Sequence, residues 1–355
     1  MSLNLFKKSN KVKEEKLHKK YKVLRDNPLL LREREILENW TEKFVDRDNK
    51  IVEEFQKSFH SSFWEFYLYA VFSELGFKID FSKKAPDFVV FSPCKILIEA
   101  VISNIKDDGR KEDTRTAEDF VSMMTPPHQQ PDFFEVLDEA IVRHSNAILK
   151  KEKKYIEYKT DDNEPYIIAL SSYSQINYGR EYIYPMMALL YGRYYDPLMG
   201  VYNFRTSIKK PNSNADIPIG LFTDSKFENI SAVIFSCTTT MGKLTALANS
   251  TDNPNPINHV LNIRHDFEEP FYIPQHVSPN NPEYLSDGLF IFHNPFAKNK
   301  VDKSIFQKTN ATQIFIHDNG FHAEGGHLPI YARNNNTFRW PEDYIKRVFK
   351  NFNDL

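Results

Sequence analysis

The stretch KKAPDFVVFSPCKILIEAV, residues 83–101, places two carboxylates, Asp87 and Glu99, in apolar segments that read as paired strands. DFVVF (87–91) and KILIEAVI (95–102) are short, β-branched and aromatic, and the turn SPC separates them. Side chains alternate faces along a strand. Asp87 therefore shares a face with Val89 and Phe91, and Glu99 with Leu97 and Val101. An unpaired carboxylate in buried sheet costs several kcal/mol or takes up a proton. A pair of them calls for a partner. If the strands are antiparallel neighbours, the two acids converge, and a hard divalent cation such as Mg²⁺ suits an all-oxygen donor set. Such an ion would polarise a phosphoryl oxygen.

Upstream, VEEFQKSFHSSFWEFYLYAVFSELGF (52–77) carries Phe55, Phe59, Phe63, Tyr67, Leu68, Val71 and Leu75 at helical spacing. Gly76 is positioned to stop that helix. Glu65 sits at the edge of the apolar face, where an acid reaches back over the following strands. FKIDF (77–81) adds a first strand, so residues 77–102 read as a meander. A charged loop follows (103–119), then a helix over 133–155 on which Phe134, Leu137, Ile141, Ile148 and Tyr155 share a stripe.

PYIIALSS (165–172) is a further buried strand, YPMMALLYG (184–192) a helix ended by Gly192, and WPEDYIKRVFKNF (340–352) a terminal helix. ISAVIFS, GLFIFH and TQIFIH read as strands. Residues 27–50 read as a helix capped by Asn27, with Pro28 in its first turn. The pattern is α/β: a mixed central sheet flanked by helices over 55–355, with an N-terminal helical extension over 1–54.

The chain has 355 residues, 41% hydrophobic and 26% charged, with aromatics at 14%: enough for a sizeable core. Its net charge of −2 excludes a generally basic nucleic-acid binder, so an anionic partner must meet a local patch. The lysines at 7, 8, 11, 13, 16, 19, 20 and 22 form either a solvated helix or tail, or a basic arm for phosphates. Two distant cysteines, Cys94 and Cys237, read as reduced core thiols in a reducing compartment. With neither a signal-like h-region nor a long apolar run, a cytoplasmic protein without a membrane partner is expected.

Three other patterns carry less. TTTMGKLT (238–245) lacks the first glycine of a phosphate loop, and Leu244 replaces the Ser or Thr that would hold Mg²⁺. His317, His322 and His327 are not spaced as a zinc motif and read as a polar loop. No G-x-S-x-G elbow is present.

Glu65 in FWEFYLYAVFSELGF, Pro86-Asp87-Phe88 in APDFVVF, and Glu99 in ILIEAV together resemble the PD-(D/E)XK nuclease superfamily. The order helix–Glu, strand, PD, strand, E, helix, strand matches over residues 56–170. The resemblance implies a restriction-endonuclease-like core and a magnesium-dependent hydrolase of nucleic acid, DNA foremost. It implies Mg²⁺ (Mn²⁺ substituting) on Asp87 and Glu99 with Glu65 as an extra ligand, and it accommodates a homodimer. It also implies a lysine beside the attacking water.

Val101 departs from the pattern: it stands two residues beyond Glu99, where the motif has lysine. Either the cation has moved or catalysis is lost. Movement is physically reasonable, because Ile141, His144, Ile148, Lys151 and Tyr155 recur at three- or four-residue spacing on the next helix. Lys151 then faces the sheet as the relocated cation, with Arg143 and Lys150 as further basic candidates along the nucleic-acid path. The alternatives are a snorkelling Lys151, a catalytically silent binding module of the same fold, and an interaction protein whose acids are merely salt-bridged.

Overall fold

The structure, a computed structural model, describes residues 3–7, 12–83, 85–158, 163–317 and 320–353. Helices α1 (Lys19–Asp26), α2 (Leu31–Thr41) and α3 (Ile51–Glu74) precede the antiparallel meander β1 (Lys78–Asp80), β2 (Phe88–Ser92) and β3 (Ile96–Asn104). Helices α4 (Ala117–Ser122) and α5 (Phe133–Tyr158) lead to β4 (Tyr166–Tyr173), which lies parallel to β3. Helix α6 (Tyr184–Tyr191) ends at Gly192, whose φ of 68° is the left-handed cap that glycine adopts without strain.

Two short hairpins follow, β5 (Arg193–Asp196) with β6 (Val201–Phe204) and β7 (Ser207–Lys209) with β8 (Asp216–Pro218). Then come β9 (Ala232–Ser236), α7 (Met241–Asn249), β10 (His259–His265), β11 (Tyr272–His276), β12 (Phe290–His293), β13 (Thr312–His317), β14 (Gly320–Glu324), β15 (Ile330–Asn336) and α8 (Glu342–Asn353). Eight strands form one mixed sheet in the order β1-β2-β3-β4-β9-β12-β13-β14, and β11-β10-β15 form a second, smaller one.

The period-two pattern divides the central strands between two cores. Ile96, Ile98, Ala100, Ile167, Ala169, Ile234 and Ile291 face α3, α7 and the N-terminal helices. Ile168, Leu170, Val233, Phe235, Phe290 and Phe292 face α5 and α6, with Leu97 and Val101 packed alongside. The sheet is thus covered on both sides, which is why β4 is buried along its whole length. The N-terminal helices belong to the first core: Tyr21, Leu24, Leu37 and Trp40 join Phe55, Phe59, Phe63 and Tyr67. Trp64 ties α3 to the sheet through its indole N–H, 2.9 Å from the Ala169 carbonyl.

The structure alters several sequence expectations. The helix over 27–50 ends at Thr41. The Thr41 hydroxyl bonds the Leu37 and Glu38 carbonyls, both at 3.2 Å. Asp46 then accepts the Lys50 and Ile51 backbone N–H groups, and Asn49 takes a left-handed φ of 55°, so residues 42–50 form a turn into α3. His317 and His322 lie on the paired strands β13 and β14 rather than in a polar loop, their rings stacked with centroids 4.5 Å apart, and Phe321 and Ala323 give β14 an apolar face against the core. Among the N-terminal lysines, Lys19 and Lys20 pair with Asp113 and Glu112, while Lys8 and Lys11 lie outside the described residues. Cys94 and Cys237 are free thiols, and no described helix is long and apolar enough to cross a membrane.

One buried acid has a consequence for stability. Glu181 is buried, accepts hydrogen bonds from the Ser172 and Ser174 hydroxyls, and burial pushes its carboxyl up to about 7. Its folded-state value exceeds its unfolded one, so the folded state holds the proton more tightly. The cost of ionising it is absent below the unfolded value and grows as pH rises to about 7, reaching roughly 3 kcal/mol. Urea unfolding at pH 5 and pH 8 should show this loss in the wild type and a smaller one in Glu181→Gln. An unchanged difference would assign the pH dependence to other groups.

Candidate functional site

Asp87 and Glu99 meet at one edge of the sheet. Phe88 pairs with Ile98, so Asp87 stands across from Glu99, one residue before β2 begins. Among the described residues, β3 beyond Ile98 has β4 on one side and no strand on the other. The Asp87 carboxylate takes up a backbone donor there: the Ala100 N–H donates to Oδ2 at 2.8 Å. In return the Asp87 N–H donates to Glu99 Oε2 at 3.3 Å. Leu97 and Val101, which share the Glu99 face, pack on the α5–α6 core, so Glu99 points to the α5 side.

Lys151 arrives from α5, its Nζ 2.5 Å from Glu99 Oε1. The cause is the helical stripe: Ile141, His144 and Ile148 are fully buried and Tyr155 nearly so, which turns Lys151 inward. The Tyr155 ring stacks on Tyr166 with centroids 3.8 Å apart, and the Tyr166 hydroxyl donates to the Lys151 carbonyl at 3.4 Å. These contacts seat the C-terminal part of α5 over the start of β4.

Arg47 enters from the α2–α3 turn. Its Nη1 donates to the Lys83 and Pro86 carbonyls at 2.7 and 3.4 Å, and its Nη2 lies 3.9 Å from Asp87 Oδ1. Glu65 approaches from α3. Burial, then the Asp87 and Glu54 charges, push its carboxyl up to about 8 against the pull of Arg47 and Lys151. Asp87 is also raised, by burial first and then by the Glu99 charge. Three carboxylates therefore interact at one edge, and Lys151 and Arg47 compensate them only in part.

The three side chains offer only oxygen donors, the type a hard divalent cation takes, and Glu65 and Asp87 hold their protons more tightly than a free acid does, which an ion would have to displace. In this structure Glu65, Asp87 and Glu99 are not drawn together as a closed triad. Among the described residues, the set whose ligating atoms all lie within 4.8 Å of one another is His18, His60 and Glu112.

The remaining sequence candidates stand apart. Arg143 lies eight residues before Lys151, about 12 Å back along the helix axis, and pairs with Glu139 at 3.8 Å. Lys150 is exposed. Val101 does occupy the Glu99 face, two residues on, packed against the α5–α6 core. Arg47 and the His18–His60–Glu112 cluster escaped the sequence reading. Arg47 falls in a polar stretch assigned to helix, and the three ligands come from distant segments without a spacing motif. No protein-family model, curated protein or solved structure matches this chain.

Proposed function

We propose that the chain is a metal-dependent nuclease with a restriction-endonuclease-like core, hydrolysing phosphodiester bonds in DNA. The observation that carries the reading is the Lys151–Glu99 contact at 2.5 Å. A cation from the following helix stands beside the motif glutamate when the motif position itself holds valine. Asp87 and Glu99 would hold Mg²⁺, with Glu65 as a further oxygen ligand, and the ion would polarise the phosphoryl group and acidify water.

The chain's own residues supply the rest. The Lys151 ammonium carries three donors and only one is engaged by Glu99. The others can hold the attacking water or the charge that builds on the phosphoryl oxygens. The Arg47 guanidinium is anchored by two carbonyls and leaves an arm directed towards Asp87, placed to take a non-bridging phosphate oxygen.

Incubating plasmid with the protein and Mg²⁺ or Mn²⁺, beside Asp87→Ala, tests the proposal. Metal-dependent cutting lost in the variant is expected, and equal cutting by both proteins would remove Asp87 from the reaction. The second reading, a silent DNA-binding module, draws on the same ion pair, since Lys151 already satisfies much of the Glu99 charge. It predicts salt-dependent DNA binding with intact DNA at every metal concentration.

The raised Glu65 carboxyl makes metal binding pH-dependent. Below about 8 it is protonated in the metal-free protein, and a ligating carboxylate must release that proton. Mg²⁺ affinity measured by calorimetry should rise about tenfold per pH unit from 6 towards 8. Glu65→Gln should bind more weakly at pH 8 and show a shallower slope. An identical slope in the variant would place the released proton elsewhere.

A further inference from the structure

We infer that the chain holds a second metal centre, for a divalent ion of the Zn²⁺ class, built from His18, His60 and Glu112. The cluster lies away from the Asp87–Glu99 edge, beside the carboxyl ends of β3 and β4, and it does not depend on the nuclease reading. Its ligands come from three separate segments. His18 is the N-cap of α1, His60 follows the break in α3 at Ser58, and Glu112 opens a 3₁₀ turn in the β3–α5 connection.

Their ligating atoms already crowd one point. Glu112 Oε1 is 3.5 Å from His60 Nε2 and 4.0 Å from His18 Nε2, and one ligating atom from each of the three residues lies within 4.8 Å of the others. A tetrahedral ion with bonds of about 2.1 Å sets its ligand atoms roughly 3.4 Å apart. The Glu112–His60 pair has that spacing, and the others reach it by closing about an ångström. Two imidazoles and one carboxylate select Zn²⁺, Co²⁺ or Ni²⁺ over Mg²⁺. Three protein ligands leave a position free for water or an exogenous ligand, and the group lines a cavity of about 400 Å³ with Asn104, Tyr173 and Tyr178.

Two contacts must yield. The His18 Nδ1 accepts the Lys20 backbone N–H at 3.2 Å, and the Tyr178 hydroxyl lies 3.2 Å from His60 Nε2. Ligation through both Nε2 atoms would release the Tyr178 hydroxyl into the cavity and loosen the α1 cap. Lys20, with Nζ 3.3 Å from Glu112 Oε2, competes with the ion for the carboxylate. Without a metal the cluster would be an ion pair bordered by two histidines, and removing Lys20 would then break that pair without creating metal affinity.

The experiment uses the full chain carrying Asp87→Asn and Glu99→Gln, stripped with chelator, so that the sheet-edge acids contribute little. Zn²⁺ is titrated by calorimetry and Co²⁺ by its visible absorption. One equivalent should bind, with Co²⁺ bands of a four- or five-coordinate ion. His60→Gln and Glu112→Gln should each weaken binding by about 100-fold or more, with far-UV circular dichroism confirming that they fold. Lys20→Met should tighten binding several-fold. Absence of a stoichiometric Co²⁺ spectrum, or equal affinity in the folded His60→Gln protein, would overturn the assignment. Weaker binding in Lys20→Met would do so as well.

Discussion

Asp87→Asn should lower single-turnover cleavage of DNA in Mg²⁺ by roughly 10³-fold, or about 4 kcal/mol of barrier, while leaving the protein folded. The substitution keeps an oxygen for the Ala100 N–H, which donates to Asp87 Oδ2 at 2.8 Å. It removes a carboxylate that burial and the Glu99 charge already make reluctant to ionise. Relieving that crowding should leave the melting temperature unchanged or raise it. Loss of activity without loss of stability would separate a metal-holding role from a structural one. A variant that keeps its activity, or that loses activity only by unfolding, would contradict the proposal. DNA binding in the absence of metal should be equal to or tighter than that of the wild type, since a negative charge has left the surface that meets phosphate.

Lys151→Met is the second substitution with a large expected effect. The pair it breaks is mostly buried, with side-chain exposures of 18% for Lys151 and 13% for Glu99. Glu99 would be left without its short-range cation, at a cost of about 3 kcal/mol in stability near neutral pH. Cleavage should fall by roughly 10²–10³-fold if the ammonium also serves the reacting phosphate. Val101 offers a test specific to this chain, because it shares the Glu99 face two residues along β3. Adding Val101→Lys to Lys151→Met restores a cation at the motif position. The double variant should regain at least tenfold in rate, read by the same single-turnover assay. If stability returns and cleavage does not, Lys151 serves only to neutralise Glu99.

The parts of the fold and of the site legible in sequence are those written in short-range periodicity. The alternation in β2 and β3 set Asp87 and Glu99 in opposed segments, and the stripe Ile141–His144–Ile148–Lys151–Tyr155 turned one particular lysine towards the sheet. Both patterns survive because burial enforces them: a strand or helix that slipped by one residue would expose Ile98 or Ile148, each fully buried. Arg47 was not legible, because its role depends on a turn closed by Asp46 and on the carbonyls of Lys83 and Pro86, more than thirty residues away. The His18–His60–Glu112 cluster was hidden for a related reason. Each ligand reads as an ordinary polar residue in its own segment, and only packing of the N-terminal helices on α3 and the β3–α5 connection brings them together. The β11-β10-β15 sheet was missed because its strands carry buried polar side chains, Asn262, Arg264, Gln275 and Asn334, which mask the apolar alternation.

Anomalous diffraction from a Mn²⁺-soaked crystal tests the central claim most directly, since it locates an ion relative to named oxygens. A peak is expected at about 2.2 Å from carboxylate oxygens of both Asp87 and Glu99, with Lys151 still beside the site. Occupied manganese elsewhere in the crystal, with Glu99 paired to Lys151 and no density between the two acids, would contradict it.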